Sequence, residues 1–122
     1  MVEIEGLQDQ RGQICLSLFS SGQGFPNSSD RALEAICIPA TAEPLVATFD
    51  NLAAGTYAVA VIHDANRDGR LNCNFLGIPQ EGLGFSRNPK ILFGPPRFRD
   101  SAIAVNAPNT KICIQVQYLL SR

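Results

Sequence analysis

Tryptophan is absent from this sequence, histidine and methionine occur once each, and all 7% of aromatic residues are phenylalanine or tyrosine. With His63 the single histidine and no C-x-x-C pair among the four cysteines, a structural zinc site built from close pairs of ligands is not expected. An excess of either charge is lacking too: 10 Lys+Arg stand against 11 Asp+Glu, a formal net charge of -1. No large field is available to attract a polyanion or an anionic bilayer, so nucleic acid is not an expected partner. No apolar run approaches the roughly 18 residues of a membrane-spanning helix. The opening "MVEIEGLQDQRGQ" has neither the basic nor the apolar block of a signal peptide. If the protein is exported, Met1 stands where a leader has been removed.

What is present is a turn-rich globular chain of 122 residues, 45% hydrophobic and 17% charged, with 10 glycines and 8 prolines. That length suits one domain with one core, spanning residues 1–122. "GQICLSLFSS" alternates, with Ile14, Leu16 and Leu18 on one side, and reads as the first strand. "GQGFPNSSD" follows as a loop. "AICIPA", "PLVATFDNL" and "GTYAVAVIHD" read as three more strands, the last two joined in hairpin fashion through Gly55. From Asn66 to Pro96 the chain carries five of the glycines and four of the prolines, which predicts a long irregular excursion. "RFRDSAIAVNA" and "NTKICIQVQYLL" return to alternation, the latter placing Ile112, Ile114, Val116 and Tyr118 on one face. The expected fold is all-β, an antiparallel β-sandwich of immunoglobulin-like or transthyretin-like type with one long irregular loop, a closed barrel being the alternative.

The stretch "HDANRDGRLNCNF" begins like a calcium loop. Asp64, Asn66, Asp68, Gly69 and Arg70 fill the first, third, fifth, sixth and seventh positions, where side-chain oxygens, a bend glycine and a backbone carbonyl belong. The twelfth position is Phe75, which has no side-chain oxygen, and a strand precedes the loop, so an EF-hand is excluded. Asn72 and Glu81 are the residues expected to complete a non-helical calcium site. The same letters also build a metal-free turn, because Asp and Asn accept backbone N–H groups and Asp-Gly is a common hairpin signal.

His63, Asp64, Glu81 and Ser86 could in principle supply a base, a carboxylate and a nucleophile, the basis of an alternative hydrolase-like reading. Adjacent His63 and Asp64 would point to opposite faces of a strand, which speaks against a relay between them. A strand-end histidine is then expected to pin the long loop. Phe85 and Arg87, with His63, form a candidate binding surface beside the acidic loop, suited to a protein or carbohydrate ligand. The plainer role for the phenylalanines there is to anchor the loop on the sandwich. Four cysteines, Cys15, Cys37, Cys73 and Cys113, permit three disulfide connectivities or four free thiols. A Cys15 to Cys37 bridge across "GFPNSSD" is expected, with Cys73 and Cys113 as the remaining pair.

Taken together, "GFP" at Gly24 to Pro26, "FDNLAAGTYAVAVIHDANRDGRLN", "FLGIPQEGLGFSRNP" and "GPPRF" at Gly94 to Phe98 resemble the bacterial family DUF2141, a domain of unknown function. More distantly, the pattern is similar to carboxypeptidase regulatory domains and collagen-adhesin B-type repeats. The resemblance implies a small, usually exported β-sandwich without an established biochemical activity. The expectation is a periplasmic or extracellular, non-enzymatic module of the cell envelope, with calcium as a stabilising ion. If the acidic loop holds calcium, an excess of that ion will raise the thermal unfolding midpoint. A midpoint unmoved by calcium removes the site.

Overall fold

The computed structural model describes residues 1–7, 10–25, 31–40, 45–50, 52–64, 82–89, 96–105 and 110–118. In chain order the elements are β1 (Val2–Glu5), β2 (Gln13–Phe19), β3 (Glu34–Pro39), β4 (Leu45–Ala47), β5 (Gly55–Asp64), β6 (Gly82–Phe85), α1 (Phe98–Ser101), β7 (Ile103–Val105) and β8 (Ile112–Gln115). They form two sheets, one of order β4-β1-β8 and one of order β3-β2-β5-β6, with β7 also paired to β5. The fold is all-β, as the alternation of the sequence requires.

The alternating residues meet between the sheets. Ile14, Leu16 and Leu18 of β2 and Tyr57, Val59 and Val61 of β5 pack against Ile4 and Val2 of β1 and Ile114 of β8. Each aliphatic side chain enclosed there contributes on the order of 1.5–3 kcal/mol. The other face of β5 is covered too: Ala60, Phe19, Leu83 and Phe85 form a second cluster. Phe25 stands at its centre, edge-on to Phe19 at 5.2 Å, Phe85 at 6.0 Å and Phe98 at 6.0 Å. The "GFP", "GLGFS" and "PPRF" segments therefore converge on one aromatic cluster.

β5 pairs with β2 along one edge, from Gln13↔Asp64 to Phe19↔Ala58. Its other edge is shared, with Gly55–Tyr57 paired to β7 and Ala60–His63 paired to β6. Ser86 fills the gap between them. Its N–H donates to the Val59 carbonyl at 3.0 Å, and its hydroxyl accepts from the Val59 N–H at 3.0 Å and donates to the Ser101 carbonyl. A single turn, α1, precedes β7, with the Arg97 N–H donating to the Asp100 carboxylate at 3.0 Å.

A seam joins the two sheets along one side. Leu83 of β6 exchanges both backbone hydrogen bonds with Gln117, at 2.8 and 2.6 Å. The side chain of Asn88 extends the seam, donating to the Cys113 carbonyl at 3.2 Å and accepting from the Gln115 N–H at 2.8 Å. Arg87 and Asn88 both have positive φ, 69° and 48°, which turns the chain so that the amide meets the edge of β8. The approach is close: a Cβ at Gly84 would lie 2.6 Å from Ile114 Cγ2, and one at Gly82 would lie 2.6 Å from Tyr118 and Val116 side-chain atoms.

Several expectations need correction. The first strand is β1, not β2; four residues of alternation were too short a signal, and half of its pairing is with β8, more than a hundred residues away. That pairing is parallel, so the smaller sheet is mixed and not wholly antiparallel. β4 and β5 do not form a hairpin: β4 pairs with β1 and β5 with β2, because their apolar faces meet across the core instead of their edges meeting in one sheet. The stretch expected to be irregular throughout contains β6, disguised by glycines that the close seam demands. The first part of "RFRDSAIAVNA" is a helical turn and not a strand.

Cys15 and Cys37 are joined by a disulfide between directly paired residues of β2 and β3. Closing that loop is worth about 3 kcal/mol in chain entropy. Cys113 has a free, exposed thiol, and Cys73, its expected partner, lies outside the described residues. Gly84→Ala is expected to destabilise the fold by about 1–3 kcal/mol through overpacking against Ile114, read as a lower urea midpoint with little change in slope. An unchanged midpoint would mean that the seam yields.

Candidate functional site

At the far end of β5, His63 and Asp64 face opposite sides and are buried, with 2% and 1% of their surfaces exposed. His63 Nε2 lies 2.8 Å from the Arg11 carbonyl oxygen, and Nδ1 lies 2.8 Å from the Tyr118 hydroxyl. A carbonyl can only accept, so Nε2 carries the proton; in the neutral ring Nδ1 accepts from Tyr118. The imidazole thus ties together the start of β2, the end of β5 and the chain after β8. The Asp64 carboxylate accepts from Gln13 Nε2 at 3.0 Å, across the β2–β5 ladder.

Asp64 is the one expected calcium ligand among the described residues; Asn66, Asp68, Arg70, Asn72 and Glu81 lie outside them. Histidine and Ser86 are not brought together. Ser86 sits opposite Val59, four residues along β5 from His63, a span of about 13 Å. The described bonds of His63 reach Arg11 and Tyr118 on either side of the sandwich. Phe85 does not present its ring outward as a binding platform: it is 3% exposed and belongs to the aromatic cluster. Arg87 is exposed on the left-handed turn.

On the outer face of the smaller sheet, ligand atoms of Glu3, Glu5 and Cys113 lie within 4.8 Å of one another. Glu3 and Cys113 are in register on the parallel strands, and Gln115 Nε2 donates to the Glu5 carboxylate. Shielding by its neighbours and the negative charge and hydrogen bond of Glu5 hold the Cys113 thiol above its ordinary pKa.

A further feature is an open-mouthed cavity of about 680 Å³ at the end of the sandwich away from His63. Its walls are Leu18 and Val59 on the larger sheet, Ile103 and Val105 of β7, and Val2 and Ile112 on the smaller sheet. Leu18 and Val59 are a cross-strand pair, as are Val2 and Ile112. Two aliphatic pairs therefore border the cavity, one on each sheet. Thr48, Asp50 and Lys111 stand at its mouth and are exposed. The one available signal was the alternation of Ile103 and Val105, which shows an apolar face but not the space beside it.

These elements define a two-sheet β-sandwich with an internal cavity and a buried polar latch at the opposite end. The model of the family described as "Uncharacterized protein conserved in bacteria (DUF2141)" matches residues 2–113, and the chain belongs to that family. No curated protein and no solved structure matches it. His63→Ala is expected to lower stability by about 1–3 kcal/mol, because it removes a buried side chain together with its hydrogen bonds to Arg11 and Tyr118. Denaturant melts check this, and a variant as stable as the parent would show that His63 is not a latch.

Proposed function

We propose that this chain is a non-enzymatic, exported module of the bacterial cell envelope that works by holding a small molecule in the cavity between its sheets. The observation that carries the reading is the separation of the two ends. The buried titratable pair His63 and Asp64 is engaged by Arg11, Tyr118 and Gln13, while the preformed space lies at the opposite end against aliphatic walls. A volume of about 680 Å³ is that of a typical small-ligand site. The Cys15–Cys37 disulfide suits an oxidising compartment, which supports export.

A hydrolase built on His63, Asp64 and Glu81 is the rival. It is disfavoured because the polar atoms of His63 already serve the fold and Ser86 is spent on Val59 and Ser101. A carbohydrate fits the cavity less well, since its inner wall of Val2, Leu18 and Val59 offers no polar side chain. Calcium belongs to this reading as a stabiliser of the segment that begins at Asp64, where the Asp64, Asn66, Asp68 spacing supplies the hard oxygens that ion prefers.

The test is native mass spectrometry of the protein after incubation with a small-molecule extract of bacterial envelopes. One adduct per chain, released unchanged on denaturation, is the expected result. A released product that differs from the bound molecule, and that disappears in His63→Ala, would replace binding by catalysis.

A further inference from the structure

Resting on the reading that the inter-sheet cavity is the binding site, we propose that its ligand is a single-chain amphiphile with an anionic head, of the fatty-acid type. The tail lies between the sheets and the head sits at the mouth beside Lys111. Three observations lead there.

The inner wall of the cavity is aliphatic, and the half-buried Phe49 and Leu52 add apolar surface beside it. Leu18 and Val59 are 2% and 1% exposed and Val2 is 3% exposed, and all three belong to paired strands. A polar group on a ligand would lose its hydration there and gain no side-chain partner, which selects against polar ligands at depth.

The walls nearer the surface are aliphatic side chains left unfinished. Ile103, Val105 and Ile112 are only partly buried although they pack against the core cluster. A hydrocarbon chain would complete their burial, whereas a peptide would bring backbone groups that nothing inside could satisfy.

Polar side chains line the rim: Thr48, Asp50 and Lys111 are exposed and Thr110 is half-buried beside them. Lys111 directly precedes Ile112 of the wall, and its four-carbon stem can lie along apolar surface while the ammonium reaches a head group. Asp50, on a much shorter stem, stands on the other strand connection at the mouth and disfavours a second negative group there. The two together suit one anionic head held on the lysine side.

Titration calorimetry with alkyl carboxylates of increasing length, below their aggregation concentrations, tests the proposal. Dodecanoate is expected to bind one per chain, and each methylene up to the filled length should tighten binding about fourfold. Val105→Trp, which projects bulk into the space, should abolish binding, and Ile103→Phe provides a second blocking variant if the first is poorly folded by circular dichroism. Lys111→Gln should weaken dodecanoate at least fivefold and leave dodecanol unchanged. Dodecylammonium binding more tightly than dodecanoate would overturn the anionic head. Absence of any alkyl binding, alongside an extract adduct that Val105→Trp removes, would overturn the amphiphile and leave the cavity reading intact. Dodecanoate binding untouched by both blocking variants would overturn the cavity itself.

Discussion

Backbone N–H and C=O groups buried on both faces of a strand must find partners on both edges, and β5 is such a strand, enclosed by the inter-sheet core on one side and by aromatic packing on the other. β2 satisfies one edge along seven residues. The second edge is longer than either β6 or β7, so the two strands share it and Ser86 bridges the interval at Val59 with its backbone and its hydroxyl. That requirement sets where the chain after the long loop must return. Once β6 is held against β5, its free edge meets Gln117, and the seam between the sheets follows.

The seam divides the molecule into ends of different character. Where β6 and the chain after β8 touch, glycines replace side chains, His63 and Tyr118 lock together, and the polar atoms are satisfied within the fold. At the other end β7 replaces β6 on the edge of β5, and the seam bonds of Asn88 and Leu83 fall at Cys113, Gln115 and Gln117, past Ile112. The cavity opens there, bordered by the aliphatic pairs Leu18–Val59 and Val2–Ile112. A latch at one end and a space at the other are thus two consequences of the same strand exchange. This polarity is why the residues with the most chemical potential on paper turn out to sit where the fold uses them.

Much of the core was legible in the chain. The alternation of Ile14, Leu16 and Leu18, of Tyr57, Val59 and Val61, and of Ile114 and Val116 named the inward faces, because period-2 burial is a local property of a strand. The disulfide from Cys15 to Cys37 was legible too, as two strand cysteines flanking one turn-rich loop. Of the candidate site, the opposite orientation of His63 and Asp64 was readable, while the burial of Phe85 in an aromatic cluster was not. The difference is range: Phe85 meets Phe25 sixty residues away, and nothing local in either segment announces the meeting.

The sequence by itself determined the all-β character, the inward faces of the principal strands and the family, since each is carried by neighbouring residues or by contiguous motifs. Tertiary structure alone decided the parallel β1–β8 pairing, the placing of β4 and β5 in different sheets, the need for glycine in β6 and the cavity. All four depend on which distant backbones come within hydrogen-bonding or van der Waals reach. Strand alternation states which side chains turn inward, but the width of the space they turn into is set by the strands on the other side.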